Sequence, residues 1–310
     1  MTSASTGFIL KRILFALVTL FVVISAVFFL LRAAPGGPFD GERQLSPEIE
    51  ANLKKAYGLD QPLAVQYGNY LYNLVQGDLG PSFRQKDFTV SELIGRGLPT
   101  SLLLGSCALL FALLVGLLVG IPAGMRPGSW LDTTLMSLSN INIAIPTIVV
   151  APVAILLFSV ALNWFPAGGV GSPSHFVLPV ISLALPFTAA VARLIRGSVV
   201  EAHQLPHITT AYAKGIGQFR VIVRHILPIA STPLISYLGP AAAGLLTGSV
   251  VVEQIFDLPG IGRYFVQAAL ARDYTLVMGV VVVYSTAVVI FNLLVDLAYG
   301  WVDPRMRNNQ

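Results

Sequence analysis

Charge is scarce in this sequence. Asp, Glu, Lys and Arg together make up 11% of the 310 residues, which is about half the share in a soluble domain. Mean hydropathy is +0.76, and 55% of the residues are hydrophobic. This composition excludes an ordinary soluble enzyme and predicts a polytopic membrane protein.

Cysteine and the common catalytic motifs are scarce as well. Cys107 is the one cysteine, which excludes an internal disulfide and a thiolate cluster, and we expect a buried hydrophobic side chain. There is no Gly-Lys-Ser/Thr phosphate loop, no His-Glu-x-x-His helix and no Gly-x-Ser-x-Gly elbow. Pro206 interrupts the helix that would align His203 with His207, so we expect solvated histidines there rather than a metal site.

Long apolar runs are abundant. The first resembles a secretory signal peptide, but its 19 apolar residues exceed the usual length and a proline follows Ala34. We interpret it as a retained first span. Six runs can cross a bilayer and would place both termini in the cytosol; they cover about residues 9–31, 98–125, 133–161, 177–195, 229–252 and 276–300.

Basic residues are concentrated on one side of this topology. Ten basic and three acidic residues lie on the predicted cytosolic side, which is the positive-inside bias of membrane proteins. The net charge of +4 therefore does not indicate nucleic-acid binding. The residues counted are Lys11, Arg12, Arg126, Arg193, Arg196, Lys214, Arg220, Arg224, Arg305 and Arg307, with Asp132, Glu201 and Asp303.

The chain divides into three parts: residues 1–31, the tail and first span; 32–97, an extracytoplasmic segment; and 98–310, a five-span core. In the second part, Ser46-Pro47-Glu48 predicts one helix start, and a second helix is predicted between Pro62 and Gly77. The tyrosine-rich face of that second helix lies either at the outer membrane–water boundary or in a small, independently packed cap.

Small and ionisable residues mark positions within the spans. Gly116, Gly120 and Gly124 recur at every fourth position and predict a close helix–helix contact with an unknown partner. Pro146 and Pro152 indicate either a path-lining helix or a packing kink.

Polar residues near the span ends leave two interpretations open. Asn292 and Asp296 in the last span form either a proton relay or a structural, bundle-facing pair. Glu253 is expected at the outer membrane interface, with a gate contact as the alternative.

Residues 196–228 form an unusually long, basic cytosolic connector. Two short helical pieces are predicted on either side of a break at Gly215-Ile216-Gly217. The connector is either a docking element for another subunit or a solvated loop that only fixes topology.

This connector resembles the coupling loop of ABC importer permeases. Ala211, Gly215, Leu227 and Pro228 match its Glu-Ala-Ala-x3-Gly-x9-Ile-x-Leu-Pro spacing, and residues 210–215 follow the Thr-Ala-x-Ala-Lys-Gly version of the peptide/nickel branch. The chain departs from the pattern at Thr209, Thr210 and His225, and it has Tyr212 and Thr209 where that branch usually has arginine. Further similarity to this branch lies at residues 32–36, 77–83, 258–262, 272–274 and 303–305, and residues 39–48 look most like the B-type subunit of oligopeptide permeases.

The resemblance implies a type I importer permease fold in the bacterial cytoplasmic membrane. It further implies a homologous C-type permease, two cytosolic ATPases that bind and hydrolyse Mg-ATP, and an extracytoplasmic peptide-binding protein. This chain would bind no cofactor or metal and would not itself be an enzyme. The residues expected to couple it to the ATPases are Thr209, Thr210, Ala211, Lys214, Gly215, Arg220, Leu227 and Pro228.

Oligopeptides are the expected substrate, and dipeptides or nickel are the alternatives within the same branch. Nickel is disfavoured because the spans contain no His or Cys cluster. A proton-coupled carrier would need coupling-ion residues at mid-membrane, usually with internal repeats. An intramembrane enzyme would need a Ser/His or metal-ligand pair within the spans. The sequence shows neither the coupling-ion residues and repeats of such a carrier nor the residue pair of such an enzyme.

Overall fold

The computed structural model describes residues 3–34, 55, 57–85 and 87–302. The regular structure of this part of the chain is helical, which confirms the predicted all-α membrane fold. The α-helices are α1 (Ser3–Ala33), α2 (Leu63–Val75), α3 (Val90–Met125), α4 (Trp130–Ala144), α5 (Thr147–Ala154), α6 (Val177–His203), α7 (Pro206–Ala213), α8 (Gln218–Val221), α9 (Leu227–Ile255), α10 (Ile261–Ala271) and α11 (Tyr274–Val302). The predicted helix start at Ser46, the segment 39–48 and the tail 303–305 lie outside the described residues.

Five of these helices are long and apolar enough to cross a membrane: α1, α3, α6, α9 and α11. Helix α3 starts at Val90, before the predicted 98, because a capping box supports its first turn. The Thr89 hydroxyl accepts from the backbone N–H of Glu92 at 3.2 Å, and the Glu92 carboxylate accepts from the N–H of Thr89 at 2.9 Å. Such a box satisfies two N–H groups that a helix start otherwise leaves unpaired.

The predicted third span is broken. Helices α4 and α5 are bent by 101° relative to each other, and they make a sixth span only if the pair crosses as one. Proline disfavours the helical conformation of the residue before it, and Ile145 is accordingly extended (φ −91°, ψ 118°) before Pro146. After Pro152, the chain continues as a π-helical turn, Ile155–Ala161.

Helix α6 is the central helix, and it packs against α3, α4, α5 and α9. The glycines at every fourth position of α3 face it. A Cβ atom added at Gly120 would lie 2.5 Å from the carbonyl oxygen of Ala192, and one at Gly124 would lie 2.8 Å from that of Arg196. The predicted close contact is confirmed, and its partner is α6.

Helix α2 has the predicted limits: it follows Pro62 and ends before Gly77, whose φ is +79°. Its tyrosine-rich face packs on Ile24 and Phe28 of α1 and on Met278 of α11. The helix therefore lies against the spans and is not an independently packed cap.

Candidate functional site

Residues 196–203 of the predicted connector continue α6, and the name connector is kept below for residues 204–228, which fold as two short helical pieces with a glycine break. Helix α7 begins at Pro206, which suits the first helical position because that N–H needs no partner. After α7, Gly215 adopts φ +75°, and its N–H donates to the carbonyl of Tyr212 at 2.9 Å. Helix α8 and the π-helical turn Ile222–Ile226 then lead into α9. The predicted break between two helical pieces is confirmed.

The connector is packed firmly onto the inner end of α6. Ile208 and Ala211 of α7 belong to one buried cluster with Ile195, Val199 and Ala202 of α6. Ile208 is fully buried, and burying such a side chain contributes about 1.5–3 kcal/mol. Val221 and Ile226 join the cluster from the second helical piece. The connector and the inner end of α6 therefore share one buried hydrophobic cluster.

The residues predicted to couple this chain to an ATPase fall into two groups. Ala211 is buried and Leu227 is half-buried, so both support the fold of the connector. The remaining predicted residues are exposed and are available to a partner; they are Thr209, Thr210, Lys214, Gly215, Arg220 and Pro228.

Phe219 is a surface residue that the sequence reasoning missed. Its side chain is 80% exposed and stands beside the exposed Arg220. The signal available in the sequence was an aromatic residue between the polar residues Gln218 and Arg220. The surface of the second helical piece thus combines an apolar anchor with positive charge.

His203 and His207 lie on different helices, as Pro206 predicted. Helix α6 ends at His203, whose ring lies 5.6 Å from the ring of Tyr212, and exposed His207 belongs to α7. Among residues 3–34, 55, 57–85 and 87–302, no three His, Cys, Asp or Glu side chains form a group that could hold a metal ion.

An ion pair joins the start of α4 to the inner part of α6. Arg196 donates from Nη2 to Asp132 Oδ2 at 2.7 Å and from Nε to Oδ1 at 3.1 Å. Asp132 Oδ2 also accepts from the backbone N–H of Gly128 at 2.9 Å. A two-bonded arginine–carboxylate pair fixes orientation as well as distance. From the sequence, both residues were assigned only to the charges on the predicted cytosolic side.

Residues 77–83 and 272–274, two segments that resemble the peptide/nickel branch, contact each other at the end of the spans away from the connector. Asp273 is buried (1% exposed), and its carboxylate accepts from the Ser82 hydroxyl and from the backbone N–H of Phe83, at 2.5 and 3.2 Å. Thr275 donates from its hydroxyl to the carbonyl of Pro81 at 2.7 Å. Asp273 thus joins the end of α10 to the segment before α3.

Glu253 lies near the end of α9, and its side chain is fully buried inside the protein. Its Oε2 accepts from the N–H of Gly262 at 2.8 Å, while Ser101 of α3 accepts from the N–H of Ile261 at 2.9 Å. Glu253 therefore caps the start of α10. A side chain at Gly260 would collide with this carboxylate, which explains a glycine in the segment 258–262.

Asn292 has a packing role in the last span. Its Oδ1 lies 2.7 Å from the position that a Cβ atom at Gly239 of α9 would take. The polar group thus lies at a close α9–α11 contact, which favours the structural interpretation. The side chain of Asp296 lies outside the described part of the chain.

Two family models match the sequence. The model described as "binding-protein-dependent transport system inner membrane component" matches residues 116–308. The model for the N-terminal part of such membrane components matches residues 6–104.

Similar proteins align over nearly the whole chain. The oligopeptide transport system permease protein OppB of Haemophilus influenzae is 45% identical over 302 residues, which are 97% of this chain and 99% of that protein. OppB of Salmonella typhimurium is 43% identical, with the same coverage of both chains. The dipeptide transport system permease protein DppB of Bacillus subtilis is 41% identical over 300 residues, which are 97% of each chain.

Solved structures share the fold at lower identity. An amino acid ABC transporter chain matches with a TM-score of 0.53 and 21% identity, over 68% of this chain and 94% of that one. A chain of the MetNI methionine ABC transporter in an inward-facing conformation matches with a TM-score of 0.54 and 21% identity, over 68% of this chain and 96% of that one. These likenesses concern the fold.

Proposed function

The chain belongs to the family of inner membrane components of binding-protein-dependent transport systems, and on this premise we propose that it is the B-type permease subunit of an ATP-driven importer of oligopeptides. It contains no Walker A phosphate loop, so ATP and Mg²⁺ are bound and the ATP is hydrolysed by partner subunits. Its place is the bacterial cytoplasmic membrane.

The proposed coupling to the ATPases rests on the connector, which is buried on the side that faces α6 and exposed on the opposite side. Its buried residues tie α7 to α6, while Thr209, Thr210, Lys214 and Phe219 face outward. A short rigid helix that presents such a surface can lie in a groove of another subunit. Two cytosolic ATPases, one on this connector and one on that of a homologous C-type permease, would then switch the path between outward- and inward-facing states.

The substrate class rests on the relatives. OppB proteins of three genera, named for oligopeptide transport, are 42–45% identical to this chain, and we propose oligopeptides for this chain too. An extracytoplasmic binding protein would deliver them. Dipeptides are the second candidate, because DppB of Bacillus subtilis is 41% identical.

The test uses the assembled complex in proteoliposomes with ATP inside. We expect uptake of a radiolabelled pentapeptide that needs ATP and binding protein and persists when a protonophore removes the proton gradient. A labelled dipeptide and ⁶³Ni²⁺ serve as the competing substrates. Uptake that follows the proton gradient without ATP would overturn the importer, and preferential uptake of the dipeptide or of nickel would overturn the substrate class.

A further inference from the structure

The ion pair between Asp132 and Arg196 lies between the connector and the broken span. Arg196 is on α6, one turn from Val199, which packs against the connector. Asp132 is in the first turn of α4, whose other end leads to the 101° bend. The pair therefore joins the element that meets a partner to the element with the sharpest bend.

Helix α4 packs against α6 and α3, but few of its own side chains are buried in the described part of the chain. Of its residues 130–144, the buried ones are Asp132 and Ser139. Ser139 donates from its hydroxyl to the carbonyl of Leu135 within α4, so it adds no polar link to α6. Asp132, by contrast, is 4% exposed and bonds to α6 through two hydrogen bonds.

The space beside the pair is open rather than close-packed. A polar cleft of about 350 Å³ lies beside the pair, and its lining residues are Asp132, Thr133, Met136, Asn140, Arg193 and Arg196. Helices that interdigitate tightly resist relative movement, because interiors are close-packed. Beside this cleft, the ion pair is the polar link that holds the first turn of α4 to α6.

The pair is also held from the α3 side. The turn between α3 and α4 donates the N–H of Gly128 to Asp132, and Gly124 of α3 approaches the carbonyl of Arg196 so closely that a Cβ atom there would lie 2.8 Å away. A backbone N–H thus orients the Asp132 carboxylate, and the backbone of Arg196 is held close to α3. Supported polar networks of this kind specify one arrangement.

We propose that Asp132 and Arg196 are positioning residues that transmit movement of the connector to α4 and hence to the bend at Pro146. The inference rests on the proposed function, since the connector must be moved by an ATPase. When α7 moves with the inner end of α6, the ion pair makes α4 follow. Without it, ATP is hydrolysed while α4 lags behind, and transport per ATP falls.

The test uses the complete complex in proteoliposomes, with Asp132→Asn, Arg196→Gln and the double variant. We expect each single variant to retain its ATPases on co-purification and to hydrolyse ATP, while pentapeptide uptake per ATP falls roughly tenfold, an ordinary size for coupling between two sites. Because the two residues act as a unit, the double variant should be no worse than either single one. Arg126→Gln, an exposed charge in the neighbouring turn, is the matched control and should keep the wild-type ratio.

Three results separate the possibilities. Wild-type transport per ATP in both single variants would overturn the inference and leave the proposed function standing. Loss of ATPase binding in step with uptake would also overturn it, because the pair would then only support the docking surface. Failure of the wild-type complex to import peptide with ATP would instead overturn the proposed function.

Discussion

Ser82 and Asp273 are 191 residues apart in the chain, and the Ser82 hydroxyl donates to the Asp273 carboxylate at 2.5 Å. Asp273 also accepts from the backbone N–H of Arg84 at 3.3 Å and of Leu276 at 3.2 Å. One buried carboxylate thereby fixes the segment before α3 against the start of α11.

Asp273→Ala should release this segment from the spans. The substitution leaves several N–H and hydroxyl donors without their acceptor, and each buried donor left unpaired costs about 1–3 kcal/mol. We expect faster hydrogen exchange across residues 79–85 with little change in α6. Asp87→Asn, which alters an exposed carboxylate nearby, is the control, and equal exchange in both variants would contradict the role given to Asp273.

Gly120→Ala should destabilise the contact between α3 and α6. A Cβ atom there meets the Ala192 carbonyl oxygen at 2.5 Å, and overpacking of this kind costs about 1–3 kcal/mol. Gly95→Ala is the matched control in the same helix, since a Cβ atom at Gly95 meets nothing within 4 Å. In a thermal-stability assay of the detergent-solubilised protein, Gly120→Ala should unfold at a lower temperature, whereas Gly95→Ala should be neutral or stabilised. Equal unfolding temperatures would show that the close contact is absent.

Glu253→Leu and Glu253→Gln should differ. Glutamine keeps a side-chain oxygen that can accept from the Gly262 N–H, whereas leucine leaves that buried donor unpaired at a cost of about 1–3 kcal/mol. We therefore expect Glu253→Leu to lower the unfolding temperature well below that of Glu253→Gln. If leucine is tolerated as well as glutamine, the cap on α10 has no energetic importance.

The ionisation of Tyr70 in α2 provides a pH-dependent signal. Burial raises the pKa of its hydroxyl to about 12, although Arg32 opposes the shift. An acid whose folded pKa is raised costs no stability while both states are neutral, and it destabilises the fold as pH rises above about 10, where the unfolded chain ionises first. The tyrosinate absorbance of wild type minus Tyr70→Phe should therefore appear near pH 12. Its appearance near pH 10 would show that Tyr70 is solvated.

The sequence predicts local features of this fold well. Lys11 and Arg12 before an apolar run, Pro62 before α2 and Gly215 within the connector each act through backbone conformation or hydropathy at their own position. These effects need no knowledge of distant residues, and the corresponding helices and break are confirmed.

Pairings between distant residues could not be predicted in the same way. The glycine stripe of α3 indicates a close approach without naming α6, because any helix backbone can fill such a groove. Asp132 and Arg196 are 64 residues apart, and the sequence shows only that both charges belong to the predicted cytosolic side. The bond between Glu253 and the N–H of Gly262 could not be predicted either, because it forms only once α9 and α10 have packed together.

Gly215 allows the most direct test of coupling through the connector, because its φ is +75° and a Cβ atom there would meet nothing within 4 Å. Valine strains this left-handed backbone, whereas asparagine tolerates it. Gly217, with φ −60°, accepts alanine without such strain, so Gly217→Ala is the control.

ATP-driven pentapeptide uptake and co-purification of the ATPases are measured for these three variants at equal membrane insertion. We predict that Gly215→Val loses both, while Gly215→Asn and Gly217→Ala largely retain them. Wild-type uptake and ATPase binding in Gly215→Val would show that residues 196–228 are a passive loop, and the coupling account would be wrong.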